Sequence, residues 1–190
     1  MTTIKILGLS GSSSKRSYNT ALLRALGDVF PKEIEFKIFE GHEQLPFYSP
    51  EHEESEVPQG AITLRAAIGN ADAIVIASPE YNYSISALTK NTLDWASRPY
   101  GAQVLIAKPV LIIGASPSQF GTVRAQAHLR EILHATQSTV VHRPEVLVSQ
   151  APGKFDENMT LTDQATIDIL KTAGEALMAL IAPKQGEKPT

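Results

Sequence analysis

No cysteine occurs among the 190 residues, which excludes disulfides, thiolate metal sites and thiol nucleophiles. Any redox chemistry must therefore come from a bound cofactor. Basic residues are not in excess: the net charge is −3 with no basic stripe, which argues against nucleic acid as a partner. No apolar run is long enough for a bilayer, and the start at Met1-Thr2-Thr3-Ile4-Lys5 lacks the basic region and long apolar core of a secretion signal. The chain thus reads as cytoplasmic, with no membrane partner. The five histidines (His42, His52, His128, His134 and His142) show no metal-ligand spacing, and no metal is expected.

The familiar glycine motifs are missing too. Gly8 and Gly11 stand three apart with no further glycine in the loop, so the dinucleotide fingerprint is absent. Lys15 follows Ser14 without the second glycine of a P-loop. Gly8-Leu9-Ser10-Gly11 misses the register of a nucleophile elbow.

What is present is ordinary globular composition, 43% hydrophobic and 19% charged. We read residues 1–183 as one domain and 184–190 as a flexible tail. Short apolar runs alternate with helix-patterned segments. The strands predicted are Ile4–Leu9, Ile34–Phe39, Ala73–Ala77, Val110–Ile113, and a fifth at Val140–Val141 and Val146–Val148 broken by Pro144. Between them the pattern predicts helices over Tyr18–Phe30, Pro58–Asn70, Ser86–Ser97, Val123–Thr136 and Thr162–Ile181, the last capped by Thr162. This alternation is the signature of an α/β fold: a doubly wound parallel sheet with helices on both faces. Five strands suit the flavodoxin-like order. Glu40–Gln59, rich in glutamate and proline, reads as a solvated loop with a packed island at Leu45-Pro46-Phe47-Tyr48.

Three loops follow core strands and so belong at one sheet edge, where doubly wound folds bind ligands. Gly11–Asn19 carries hydroxyls at Ser12, Ser13, Ser14 and Ser17 at a helix start, an arrangement suited to a phosphate monoester. Ser17 also suits the helix N-cap. Ser78-Pro79-Glu80-Tyr81-Asn82-Tyr83-Ser84 offers backbone donors and flat aromatic surface to a ring; as an ordinary turn it would instead have Ser84 capping the next helix. Gly114–Thr122, with Ser116, is the third.

These residues carry a resemblance. Gly11-Ser12 with Ser17 and Asn19, then Pro79-Glu80-Tyr81-Asn82, Lys90-Asn91 with Asp94-Trp95, and Arg124-Ala125-Gln126 with Leu129-Arg130 resemble the NADPH-dependent FMN reductase family, over roughly Lys5 to Val148. The family includes chromate, quinone and azo-dye reductases. The resemblance implies FMN as cofactor and NADPH or NADH as hydride donor. Hydride passes through FMN to a small-molecule electron acceptor: a quinone, azo compound, free flavin or metal oxyanion. It implies phosphate contacts from Ser12, Ser17 and Asn19 with Tyr18 among them, ring and ribityl contacts from Pro79, Glu80, Tyr81 and Asn82, and a third contact at Ser116. No catalytic side chain is implied.

Two positions depart from the family pattern. Ser14 stands where the family commonly has arginine, so Arg16 or Lys15 is expected to supply the charge. Gly121-Thr122 replaces the usual glycine pair. A homodimer or homotetramer is implied, with Ser86–Tyr100 and Leu45–Tyr48 as candidate contacts. Two alternatives remain open at this point: a flavodoxin-like electron carrier without nicotinamide turnover, and a non-catalytic phosphate-ligand module.

Overall fold

The computed structural model describes residues 3–181; the tail expected at 184–190 lies outside them. Five helices pack on a parallel sheet whose strand order is Ile34–Ile38, Ile4–Ser10, Ala73–Ala77, Pro109–Ala115, with Thr139–Val140 and Val146–Val148 both pairing to the last of these. The strands are β1 (Ile4–Ser10), β2 (Ile34–Ile38), β3 (Ala73–Ala77), β6 (Pro109–Ala115), β7 (Thr139–Val140) and β8 (Val146–Val148). The last two form one edge strand interrupted where Arg143-Pro144 breaks the ladder, as the sequence suggested.

Alternate residues of the central strands serve opposite faces. Ile6, Val75, Leu111 and Ile113 face α1 (Tyr18–Val29) and α6 (Gln164–Ile181), meeting Leu22, Leu26, Leu170 and Leu177. Leu7, Ile74, Ile76 and Ile112 face α3 (Gln59–Asn70), α4 (Ala87–Ala96) and α5 (Val123–Ala135), meeting Leu64, Ile68, Leu93 and Leu129. Both faces are covered, which is why β1, β3 and β6 read as continuous apolar runs. β2 is the edge strand that its alternating pattern predicted.

Three local expectations change. The cap of α4 is Ser86, whose Oγ accepts the Thr89 N–H at 3.1 Å, and not Ser84. The start of α6 is held by Asp163 rather than Thr162: its carboxylate accepts the Thr166 N–H at 2.9 Å. Glu40–Gln59 is not simply a solvated loop, since it contains a 3₁₀ turn (His42–Gln44) and the short helix α2 (Pro50–Ser55). Its Leu45–Tyr48 island does pack down. Buried Trp95 donates Nε1–H to Pro46 O at 2.8 Å and stands edge-on to Tyr48, while Asn91 accepts the Tyr48 N–H and donates to Pro46 O. Trp95 is therefore core within the chain.

Candidate flavin site

The switch in strand order falls between β1 and β3, and the loops leaving their carboxyl ends meet there. Gly11 makes the meeting possible. Its N–H donates to Ala77 O at 2.7 Å, and Ser86 Oγ donates to Gly11 O at 2.6 Å. A Cβ at Gly11 would overlap Thr89 Oγ1 and press on Ser78 and Pro79. Only a glycine lets the two loops close this tightly.

The first loop runs into α1 through Ser17. Its Oγ accepts the Thr20 N–H at 3.2 Å and its C=O accepts that of Ala21 at 3.0 Å, so Ser17 is the N-cap expected. The first-turn N–H groups of Tyr18 and Asn19 have no partner within a preceding turn and are available to an anion. Ser12, Ser14, Arg16, Ser17, Tyr18 and Asn19 all line one cleft of about 190 Å³ together with Pro79, Glu80, Tyr81 and Ser116. Asn82 alone among the expected residues lies outside it, in an adjoining cleft of about 420 Å³ that shares Glu80 and Ser116.

Several of these side chains are engaged in building the site. The Asn19 amide is buried and bridges to β6, donating to Ala115 O at 3.0 Å and accepting from Ala115 N at 2.9 Å. Arg16 lines the cleft while its Nη2 donates to Glu157 O at 3.1 Å, which holds the guanidinium at the rim. The Tyr18 ring packs against Phe155 at 5.4 Å between centroids.

Glu80–Ile85 forms a hairpin where the sequence pattern predicts only a loop. β4 (Glu80–Tyr81) pairs with β5 (Ser84–Ile85), and the two-residue turn puts Asn82 at φ 50° and Tyr83 at φ 66°. Left-handed backbone at both positions is the geometry of a type I′ turn, usually met by Asn-Gly. A tyrosine in the second place gives no sequence signal and carries a strain cost of about 1–2 kcal/mol.

Glu80 lines the cleft as expected of its segment, where backbone donors are the groups offered to a ring. Its carboxylate turns to α5, where Oε2 accepts the N–H groups of Arg124 and Ala125 at 2.9 and 3.1 Å. Oε1 pairs with Arg124 Nη1 at 3.1 Å. Glu80 thus caps a helix whose own N-cap, Thr122, provides no side-chain cap. The backbone of Pro79–Tyr81 and the exposed Tyr81 ring are what this segment offers a ligand.

Arg124 was noticed only as part of a motif and given no role. Its Cζ lies 3.9 Å from the Tyr83 ring centroid and 5.1 Å from that of Phe120. No sequence signal marks this cluster, because it joins positions some forty residues apart.

The third loop is folded on itself. Ser116 Oγ accepts the Ser118 N–H at 3.1 Å, and Ser116 N–H donates to Val148 O at 2.9 Å. Thr122 is fully buried, its Oγ1 accepting from Gln126 Nε2 and its side chain closing on Gly114, where a Cβ would overlap it. The departure at Thr122 therefore faces the interior, away from both clefts. Of the histidines, His42 is buried with Nε2 against Ser10 O at 2.7 Å, and no cluster of three metal-ligating side chains exists among the described residues. Among the same residues no helix is long and apolar enough to cross a membrane.

The family model for NADPH-dependent FMN reductases matches residues 4–153. The chain is 38% identical over 185 residues to an NAD(P)H-dependent FMN reductase of Pseudomonas aeruginosa, covering 96% of this chain and 98% of the relative. It is 35% identical over 169 residues to a 2-hydroxy-1,4-benzoquinone reductase of a Burkholderia species, covering 89% and 91%. Among solved structures, the flavoenzyme NAD(P)H:(acceptor) oxidoreductase of Paracoccus denitrificans superposes with a TM-score of 0.85 at 29% identity, covering 94% of this chain and 97% of that one.

Proposed function

Because this chain belongs to the NADPH-dependent FMN reductase family, we propose that the cleft between its first and second loops receives FMN with the phosphate at Ser12–Asn19. The protein is an FMN-dependent NAD(P)H oxidoreductase acting on small-molecule acceptors. The observation that carries the siting is the convergence of ten expected residues on one cleft, at the strand-order switch and the N-terminus of α1.

The residues present fit the cofactor. Ser12, Ser14 and Ser17 bring hydroxyls, the first turn of α1 brings N–H groups, and Arg16 brings positive charge for a phosphate. Arg16 takes the place of the arginine absent at position 14. Asn19 acts differently from the phosphate ligand first expected, since its amide fixes the wall of the cleft. Pro79 and the backbone of Glu80 and Tyr81 border the ribityl and ring end, with Asn82 and Ser116 beyond. Bound FMN supplies two-electron carriage between NAD(P)H and the acceptor. The chain's own part is to bind, orient and shield, so no acid–base side chain is assigned.

The purified protein should be yellow, and after flavin removal it should regain its absorbance with FMN and oxidise NAD(P)H with a benzoquinone as acceptor. Colourless protein that FMN does not reconstitute overturns the siting. The relatives that reduce quinones make a quinone the acceptor we favour; chromate and azo compounds are to be compared beside it. We also read the working form as a homodimer or homotetramer in the cytoplasm. Exposed Phe47 and Tyr100, at 78% and 77%, support the contact surface, and the need for NAD(P)H supports the compartment. Light scattering in solution tests the assembly.

A further inference from the structure

We infer that the cleft behind the hairpin is the docking site for the phosphorylated adenosine half of NADPH, with Arg124 receiving the 2′-phosphate and so favouring NADPH over NADH. The inference rests on the flavin-reductase reading above and deepens it.

The cleft, of about 420 Å³, adjoins the proposed flavin cleft and is lined by Asn82, Tyr83, Ser118, Phe120 and Arg124. Arg124 lies against two aromatic rings, its Cζ 3.9 Å from the Tyr83 centroid and 5.1 Å from that of Phe120. Its Nη1 is fixed on Glu80, so the free edge of the fork is held in one orientation. Glu80 offsets part of the guanidinium charge, and its own charge is in turn shared with two N–H groups at the positive end of α5. A guanidinium 32% exposed and held by its pair with Glu80 suits a phosphate dianion at its free edge.

The aromatic pair has a second use. Tyr83 and Phe120 are 67% and 62% exposed, far more than rings packed only for stability. Their outer faces offer flat apolar surface to a purine, as aromatic platforms offer it to bases elsewhere. The left-handed turn at Asn82-Tyr83 is what carries the first ring to this position. A phosphate receptor beside stacking surface, next to a site for a redox ring, matches adenosine 2′-phosphate better than a small inorganic oxyanion. An oxyanion would need the charge and not the rings.

The test uses the FMN-loaded protein. Calorimetric titration with adenosine 2′,5′-bisphosphate and with adenosine 5′-monophosphate should show the bisphosphate binding about 10–100-fold more tightly, the range of one charge-assisted contact. In Arg124→Gln that margin should collapse, and the ratio of kcat/KM for NADPH over NADH should fall by a similar factor. Phe120→Ala, which leaves the Arg124–Glu80 pair and the nearer Tyr83 ring in place, should weaken both nucleotides and keep most of the margin. Equal binding of the two nucleotides by the wild type, or an unchanged NADPH:NADH ratio in a flavin-loaded Arg124→Gln, overturns the inference. If Arg124→Gln does not retain FMN, Arg124→Lys, which keeps the charge but loses the fork held on Glu80, should lower the same ratio, and an unchanged ratio overturns the inference. Loss of FMN binding in the wild type would instead strike the reading beneath it.

Discussion

Asn19 and Ala115 exchange two hydrogen bonds across 96 residues of sequence, amide nitrogen to carbonyl at 3.0 Å and peptide nitrogen to amide oxygen at 2.9 Å. One side chain on α1 thereby satisfies both backbone groups at the end of β6, where the strand leaves the sheet. The bond pair links the first loop of the proposed flavin cleft to the third. Asn19→Ala leaves a buried N–H and C=O unpaired, so we expect a loss of about 2–5 kcal/mol in urea unfolding of the flavin-free protein. A loss below about 1 kcal/mol would show that water replaces the amide and that the brace is dispensable.

Ser17 separates two roles through a pair of substitutions. Ser17→Ala removes the N-cap and should cost about 1 kcal/mol. Ser17→Asp restores a capping oxygen and favours the helix dipole, so its stability should match or exceed the wild type. The same carboxylate would repel a phosphate in the cleft, and FMN affinity should drop by at least tenfold. Fluorescence titration with FMN gives the answer. A stable Ser17→Asp that binds FMN normally removes the phosphate from this loop.

Glu80→Gln should be costly for a reason unconnected with ligand contact. The amide leaves only one acceptor oxygen for three donors and faces Arg124 with N–H groups. A loss of about 1.5–3 kcal/mol is expected for the charge-assisted contacts. Paired with Arg124→Gln, the double variant should lose less than the sum of the single ones, since each substitution removes the same bond. Strict additivity in thermal unfolding would show that the two groups act independently.

The core was readable because burial on both faces writes strands as plain apolar runs. Ala73–Ala77 was read at its observed bounds, and the break at Pro144 was read because proline cannot donate to a ladder. The site was legible in its loops and hidden in its cross-links. Ser17 declares its cap within three residues, whereas the partners of Glu80 lie on α5 and those of Asn19 on β6. Asn82-Tyr83 adopts a turn whose usual glycine is missing, so no local residue announced the hairpin. Glu40–Gln59 looked like loop because its order comes from elsewhere, through Trp95 Nε1 and the Asn91 amide. Tertiary contact overrides composition there.

Asp163 governs how the last helix responds to acid. Its carboxyl is held below the ordinary value by the Thr166 hydroxyl, then by the Thr166 N–H, and further by Lys154, whose Nζ lies 3.8 Å away. A group whose folded value is depressed contributes stability above its unfolded value and loses it as pH falls through the folded one. The contribution is therefore complete above about pH 4 and fades below it. Asp163→Ala should cost about 1 kcal/mol near neutrality, as a lost N-cap does. At pH 3 the gap from wild type should be narrower, because proton uptake by the unfolded chain already offsets part of what the ionised carboxylate contributes. Asp163→Asn, which keeps a capping oxygen without a charge, should sit between them at neutral pH and hold its stability across the acid range. Urea midpoints at pH 3 and pH 6.5 distinguish these courses, and a gap for Asp163→Ala near zero at both pH values would place the helix start on Thr162 after all.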